Sequence, residues 1–204
     1  MKIYQLIAGF LFALILSGCA STLKLDRALK LSSDDRTTLG GSISRNNYVN
    51  SDIKLPIEKV WDFFGSGGIS SNQPLIADSI LFIGFMNGEL LAIDIKKGKK
   101  LGRVSTDGAI HASPVLLKDK LFLASAHSKY SLKAFDFDDG IILWKKEVEG
   151  IESSLVFLDN ILYAATESGT LLAINPSNGK NLWEQKFSKK IRSSLASDKS
   201  RIYF

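Results

Sequence analysis

The chain has 204 residues, a formal charge of +5, 45% hydrophobic residues and 23% charged residues. That balance supports a packed core and excludes a disordered chain. Its basic residues are scattered, apart from short pairs such as Lys96-Lys97, Lys99-Lys100 and Lys189-Lys190, with no basic face interleaved with aromatics, which argues against a nucleic-acid surface.

Residues 1–18 read as a signal peptide. Lys2 gives a short positive start, and Ile3 to Leu16 is apolar apart from Tyr4, Gln5 and Gly9. Such a run extends about 21 Å as a helix, short of the roughly 30 Å of a bilayer core, so it fits an export signal better than a permanent span. Leu16-Ser17-Gly18-Cys19 follows, and Cys19 is the single cysteine. No intramolecular disulfide is therefore possible. The tetrapeptide resembles the lipobox of bacterial lipoproteins. It predicts cleavage between Gly18 and Cys19 and lipidation of the Cys19 thiol. Several acyl chains on one residue anchor durably, at about 0.8 kcal/mol per buried methylene. Ala20, in place of an Asp, favours the outer membrane, with the protein facing the periplasm.

Residues 19–54 read as a lipidated cysteine and flexible tether. Ser32-Ser33-Asp34-Asp35, Gly40-Gly41 and Asn46-Asn47 dominate it, and only Leu23, Leu25, Leu29 and Leu31 could pack loosely or form a weak helix. Its reach as a flexible chain is about 30–35 Å.

From residue 55 onward the chain repeats itself. Leu81-Phe82, Leu121-Phe122, Leu162-Tyr163 and Ile202-Tyr203 recur at spacings of 40, 41 and 40. A second echo runs from Ala92 through Asp94 to Gly98, from Ala134 through Asp136 to Gly140, and from Ala173 through Asn175 to Gly179. Four residues beyond each glycine stand Gly102, Trp144 and Trp183. Ahead of the units come Gln73-Pro74, Ser113-Pro114, Ser154-Leu155 and Ser194-Leu195. Each unit offers four short apolar runs split by turn residues, which predicts antiparallel strands. Asp94, Asp136 and Asn175 are placed to cap a turn, and Gly98, Gly140 and Gly179 to close it with positive φ. Four strands per forty residues, repeated, predict an all-β propeller of four-stranded blades. The blades fall at about 69–104, 110–148 and 151–187, with the start of another at 191–204. Val60-Trp61-Asp62-Phe63 reads as an isolated final strand that would complete the last blade of a ring. About three and a half blades leave the ring incomplete, and the chain reads as the N-terminal part of a longer propeller.

Other chemistry is weak. Asp136-Phe137-Asp138-Asp139-Gly140, with Glu147 at a twelfth position, resembles a calcium loop, but glycine falls where a ligand belongs and the same place in the other units is the repeat turn. His111 and His127 are the only histidines, too few for a zinc set, and His111 reads as a packing or top-face residue. Gly65-Ser66-Gly67-Gly68 precedes a strand and reads as a linker, not a phosphate loop. No catalytic residue, metal or cofactor is expected.

The repeat lacks the Gly-His and Trp-Asp marks of WD40 blades. It resembles the pyrroloquinoline-quinone-type (PQQ-like) repeat, in which a strand ending Ala-hydrophobic-Asp is followed by Gly and then Trp. Gly102 departs from that pattern, and the resemblance then implies a looser first junction. Taken with the lipobox, the chain is similar to the BamB family of outer-membrane assembly lipoproteins. That resemblance implies a non-enzymatic scaffold aiding assembly of β-barrel outer-membrane proteins. It implies a BamA-like β-barrel assembly subunit and unfolded outer-membrane protein clients as partners. It also points to Ile191-Arg192, ahead of Ser193-Ser194-Leu195, as a partner contact, with Leu195 where family members carry Pro. Other lipid-anchored binding or sensing propellers and quinone-dependent dehydrogenases share the repeat and are the alternatives.

Overall fold

The computed structural model describes residues 22–49 and 52–204. Three four-stranded antiparallel sheets and one two-stranded sheet follow each other along the chain. The first is β1 (Leu75–Ala77), β2 (Ile80–Gly84), β3 (Glu89–Asp94) and β4 (Lys99–Ser105). The second is β5 (Val115–Leu117), β6 (Lys120–Ala124), β7 (Leu132–Asp136) and β8 (Ile141–Lys146). The third is β9 (Val156–Leu158), β10 (Ile161–Ala165), β11 (Thr170–Ile174) and β12 (Asn181–Lys186). β13 (Ala196–Ser197) and β14 (Ile202–Tyr203) begin a fourth. Strand order equals chain order in every sheet, so each is a meander: a propeller-like blade.

Turn chemistry sets this meander. Asp78-Ser79 and Asp159-Asn160 are two-residue hairpin loops with φ of 47° and 65°, and of 49° and 61°. Positive φ at both central positions matches the right-handed twist of the strands, and Asp, Asn and Ser tolerate it. At the next turn, Asp94 Oδ1 accepts the Lys97 amide at 2.9 Å, Asp136 Oδ1 accepts the Asp138 and Asp139 amides at 3.0 and 3.1 Å, and Asn175 Oδ1 accepts the Ser177 amide at 2.9 Å. Gly98, Gly140 and Gly179 close these turns at φ of 64°, 73° and 70°. A bulge then follows Ala92, Ala134 and Ala173, and increases the twist of the outer strand.

The core lies between blades. One buried cluster joins Leu75, Phe82 and Leu90 of the first blade to Leu121, Phe135 and Phe137 of the second. Another joins Phe122, Leu132 and Ala134 to Leu155, Leu162 and Leu172 of the third. A hydrogen-bond ladder stitches the same seams at the repeat spacing. The Gln73 amide donates to Ser113 Oγ at 2.7 Å, the Ser113 amide to Ser154 Oγ at 2.9 Å, and the Ser154 amide to Ser194 Oγ at 3.2 Å. A small hydroxyl ahead of each inner strand thus satisfies the backbone of the preceding blade.

Tryptophans wedge two junctions in one way. The Trp144 indole lies on Gly179, where a Cβ would meet its ring at 2.7 Å, and Nε1 donates to Pro176 O at 2.8 Å. Trp61 lies on Gly98, with a corresponding approach of 2.8 Å, and donates to Ile95 O at 2.5 Å. Residues 60–63 form no ladder with another strand among the described residues, and Trp61 and Phe63 pack against Phe85, Leu91 and Ile93.

Residues 22–47 correct the expectation of a slack tether. Leu23 is fully buried and Leu25 nearly so. Leu23 donates to Arg103 O at 2.8 Å, extending the edge of β4, and Leu25 donates to Phe137 O at 2.9 Å. The Arg27 guanidinium pairs with Asp78. Further on, Arg36 and Ile76 exchange both backbone hydrogen bonds, and Thr37 O and Ile43 O accept from the Leu116 and Ser197 amides. Polar composition suggested slack chain; the inner strand edges and the first seam offered backbone partners and apolar space that hold it.

Candidate partner-docking rim

Every blade enters its inner strand through the same short approach. Ile110, Ile151 and Ile191 are buried at the seams. The residue after each isoleucine stands at the rim: His111, Glu152 and Arg192, with Ser70 in the corresponding place of the first blade. Rim residues of adjacent blades meet in pairs. Ser70 Oγ lies 2.8 Å from His111 Nδ1, and Arg192 Nε lies 3.7 Å from Glu152 Oε2. Beneath the rim, the Asn72 amide group donates to Gly84 O at 3.1 Å and Ile110 O at 2.8 Å, and Ser153 Oγ donates to Ala165 O at 2.9 Å. These buried polar side chains hold the approach segments against the ends of β2 and β10, so the rim is presented on fixed backbone.

Ile191 and Arg192 therefore stand in different surroundings. Ile191 packs with Val156, Ala165 and Leu171 in the seam toward the fourth sheet. Arg192 is 63% exposed in its side chain, with a single loose carboxylate partner. An exposed pair at this distance contributes at most about 1 kcal/mol, so a better-placed acidic group could take the guanidinium from Glu152. Arg45, from the docked N-terminal segment, donates to Ser154 O at 3.3 Å, and burial lowers its pKa to about 10, so it stays charged at neutral pH. On the first blade, Glu89 is held below the usual carboxylate range by Ser66, with Arg103 and Asn87 adding to the effect. At the far end, hydrogen bonds from the Tyr203 hydroxyl and Ser200 hold Asp198 well below its usual range.

Glu152 and the Ser70–His111 contact escaped the sequence reading. Their spacings of 41 and 40 residues, from Ser70 to His111 to Glu152 to Arg192, were visible. Their chemical types differ, so the four positions do not read as one recurring residue. Asp136, the strongest calcium candidate, is a turn cap lying 3.9 Å from Lys120 Nζ, a cation where a metal would stand. Among the described residues, no three His, Cys, Asp or Glu side chains gather as a ligand set. Trp183 packs on Tyr163 at 5.9 Å between ring centroids and remains 44% exposed. Gly18 and Cys19 lie outside the described residues.

The family described as outer membrane protein assembly factor BamB matches residues 57–203, the whole array of blades. The chain belongs to this family. A BamB of Legionella pneumophila (strain Paris) is 24% identical over 127 residues, covering 57% of this chain and 32% of the relative. The chain thus matches about a third of that relative's length. Among solved structures, BamB from Moraxella catarrhalis superposes with a TM-score of 0.60 at 21% identity, over 70% of this chain and 47% of that one. The quinohemoprotein alcohol dehydrogenase of Comamonas testosteroni superposes with a TM-score of 0.61 at 16% identity, over 74% of this chain and 27% of the enzyme. At these identities the two superpositions show the shared blade fold.

Proposed function

We propose that this chain is part of a lipid-anchored, non-catalytic scaffold that aids assembly of β-barrel outer-membrane proteins from the periplasmic side. The family match over residues 57–203 carries the reading. The dehydrogenase likeness rests on fold alone and brings no residue with it. Lipidation of Cys19 after cleavage beyond Gly18 would place the propeller at the outer membrane, facing the periplasm. A BamA-like subunit would dock on the rim at Ile191-Arg192: Ile191 fixes the backbone, and Arg192 exchanges Glu152 for a partner carboxylate. Unfolded barrel clients would meet exposed strand edges by β-augmentation, which recognises backbone and tolerates many sequences.

The test is co-purification of a BamA-like subunit with the full-length lipidated protein. Wild type is expected to retain it, and Arg192→Glu to lower recovery at least tenfold. Unchanged recovery with Arg192→Glu would remove that residue from the interface. Failure of the wild type to retain the subunit would overturn the assembly reading.

A further inference from the structure

The junction between the first two blades lacks a tryptophan because β4 carries Gly102 at that place, and the N-terminal segment fills it. A Cβ on Gly102 would meet Leu23 Cα at 2.7 Å, and one on Gly140 would meet Lys24 Cβ at 3.3 Å. Leu25 supplies the hydrogen bond to Phe137 O that Trp61 and Trp144 supply to Ile95 O and Pro176 O at the neighbouring junctions. The segment is thus held sterically and by hydrogen bonding from its first described residues.

This fixes where the chain leaves the propeller. Cys19 stands three residues before Thr22, and three extended residues span at most about 11 Å. Thr22 is bridged to Arg103 on β4. The surface around this exit combines exposed apolar side chains, Leu101, Ile141 and Ile142 at 41%, 49% and 47%, with exposed Lys24, Lys99 and Lys100, which outnumber the exposed Asp26 and Asp139. Apolar groups that can enter the interfacial region, flanked by lysines that attract anionic headgroups, suit a lipid surface. The outer strand of the third blade also exposes apolar side chains, Leu182 and Trp183 at 52% and 44%, but the N-terminal segment does not dock beside it.

The geometry points to the outer edge of the first two blades as a membrane-contacting surface, held against anionic lipid by the Thr22–Leu25 strap. A long slack tether would let the propeller tumble above the bilayer; a docked strap gives it one orientation and aims the rim in a set direction. This placement rests on lipidation of Cys19, the anchor reading given above.

The test uses full-length lipidated protein in vesicles of phosphatidylethanolamine and phosphatidylglycerol, with nitroxide-labelled lipid as a quencher. Ile142→Cys or Glu184→Cys carries a thiol-linked fluorophore. Palmitate incorporation and vesicle flotation, both abolished by Cys19→Ser, are measured first. An unlipidated wild type would overturn the anchor and the placement together. With the anchor established, quenching at position 142 is expected to exceed that at 184 at least threefold. Gly102→Trp, which takes the Leu23 seat, and the surface pair Lys99→Glu with Lys100→Glu should each reduce that ratio while flotation persists. Equal quenching at 142 and 184 in a lipidated, floating wild type would overturn the placement alone.

Discussion

Two adjacent junctions in this molecule solve one packing problem by different means. Between the second and third blades, Trp144 fills the gap and bonds to Pro176 O from within the repeat. Between the first and second, Leu23 and Leu25 do so from about eighty residues upstream. A wedge inside the repeat forms with its blade. A wedge borrowed from the N-terminus must close a long loop first, and can be lost without unfolding the blade. The difference separates a permanent junction from a releasable one.

The sharpest break is Trp144→Ala. Truncating a packed tryptophan costs about 3–5 kcal/mol, and the partial exposure of Trp144 puts this case near 3. Urea denaturation should show it as a lower midpoint for the whole array. Leu23→Ala removes a fully buried side chain and should cost about 2 kcal/mol, appearing first as hydrogen exchange and proteolysis confined to residues 22–27. If Leu23→Ala lowered the global midpoint as much as Trp144→Ala, the releasable junction would be refuted.

Gly102→Trp converts the first junction into the second kind. The indole gains the seat and the strap loses it, so net stability should change by about 1 kcal/mol or less. The informative readout is trypsin cleavage after Lys24 and Arg27, which should become fast in the variant. Persistent protection would show that the strap is held by its inner-edge contacts at Arg36 and Thr37 and not by the Leu23 seat.

The blades were legible because their determinants are local. Asp94, Asp136 and Asn175 each cap a turn with their own side chain, and an alternating apolar strand needs only neighbours to declare itself. The wedge at Gly102 was legible only as a gap, since nothing near it in sequence fills it. Leu23 and Leu25 read only as residues that could pack loosely, because two leucines amid Ser, Asp and Lys look like any linker. Arg192 and Glu152 carry one rim position, but opposite charges at a forty-residue spacing do not resemble a repeat. Val60 to Phe63 has strand composition; among the described residues it forms no ladder, and Trp61 and Phe63 pack against the first blade.

Smaller effects probe the ladder common to both seams. Ser154→Ala removes the acceptor for the Ser113 amide, which is left buried at the second seam, and should cost about 1 kcal/mol. Ser113→Ala removes the acceptor for the amide of exposed Gln73 at the first seam, where water can replace it. Equal losses would show that the ladder is indifferent to the wedge. A smaller loss at Ser113 is expected, because water reaches the Gln73 amide and not the Ser113 amide.

The smallest effect is electrostatic and confined to the strap. Asp78 is held below the usual carboxylate range by Arg27, with the Lys30 amide adding to it. A carboxylate depressed in the folded state contributes stability that is full above its unfolded pKa and lost as pH falls through its folded one. The Arg27–Asp78 contact therefore fastens the strap at neutral pH and loosens it in acid, below about pH 4. Amide exchange at Leu25, corrected for the intrinsic pH dependence, should accelerate there relative to Leu172 in the third blade. Asp78→Asn should remove the pH dependence and leave Leu25 exchanging at the faster rate throughout. If Leu25 and Leu172 lost protection together, acid would be acting on the whole array, and the strap would be no more releasable than the tryptophan-wedged seam.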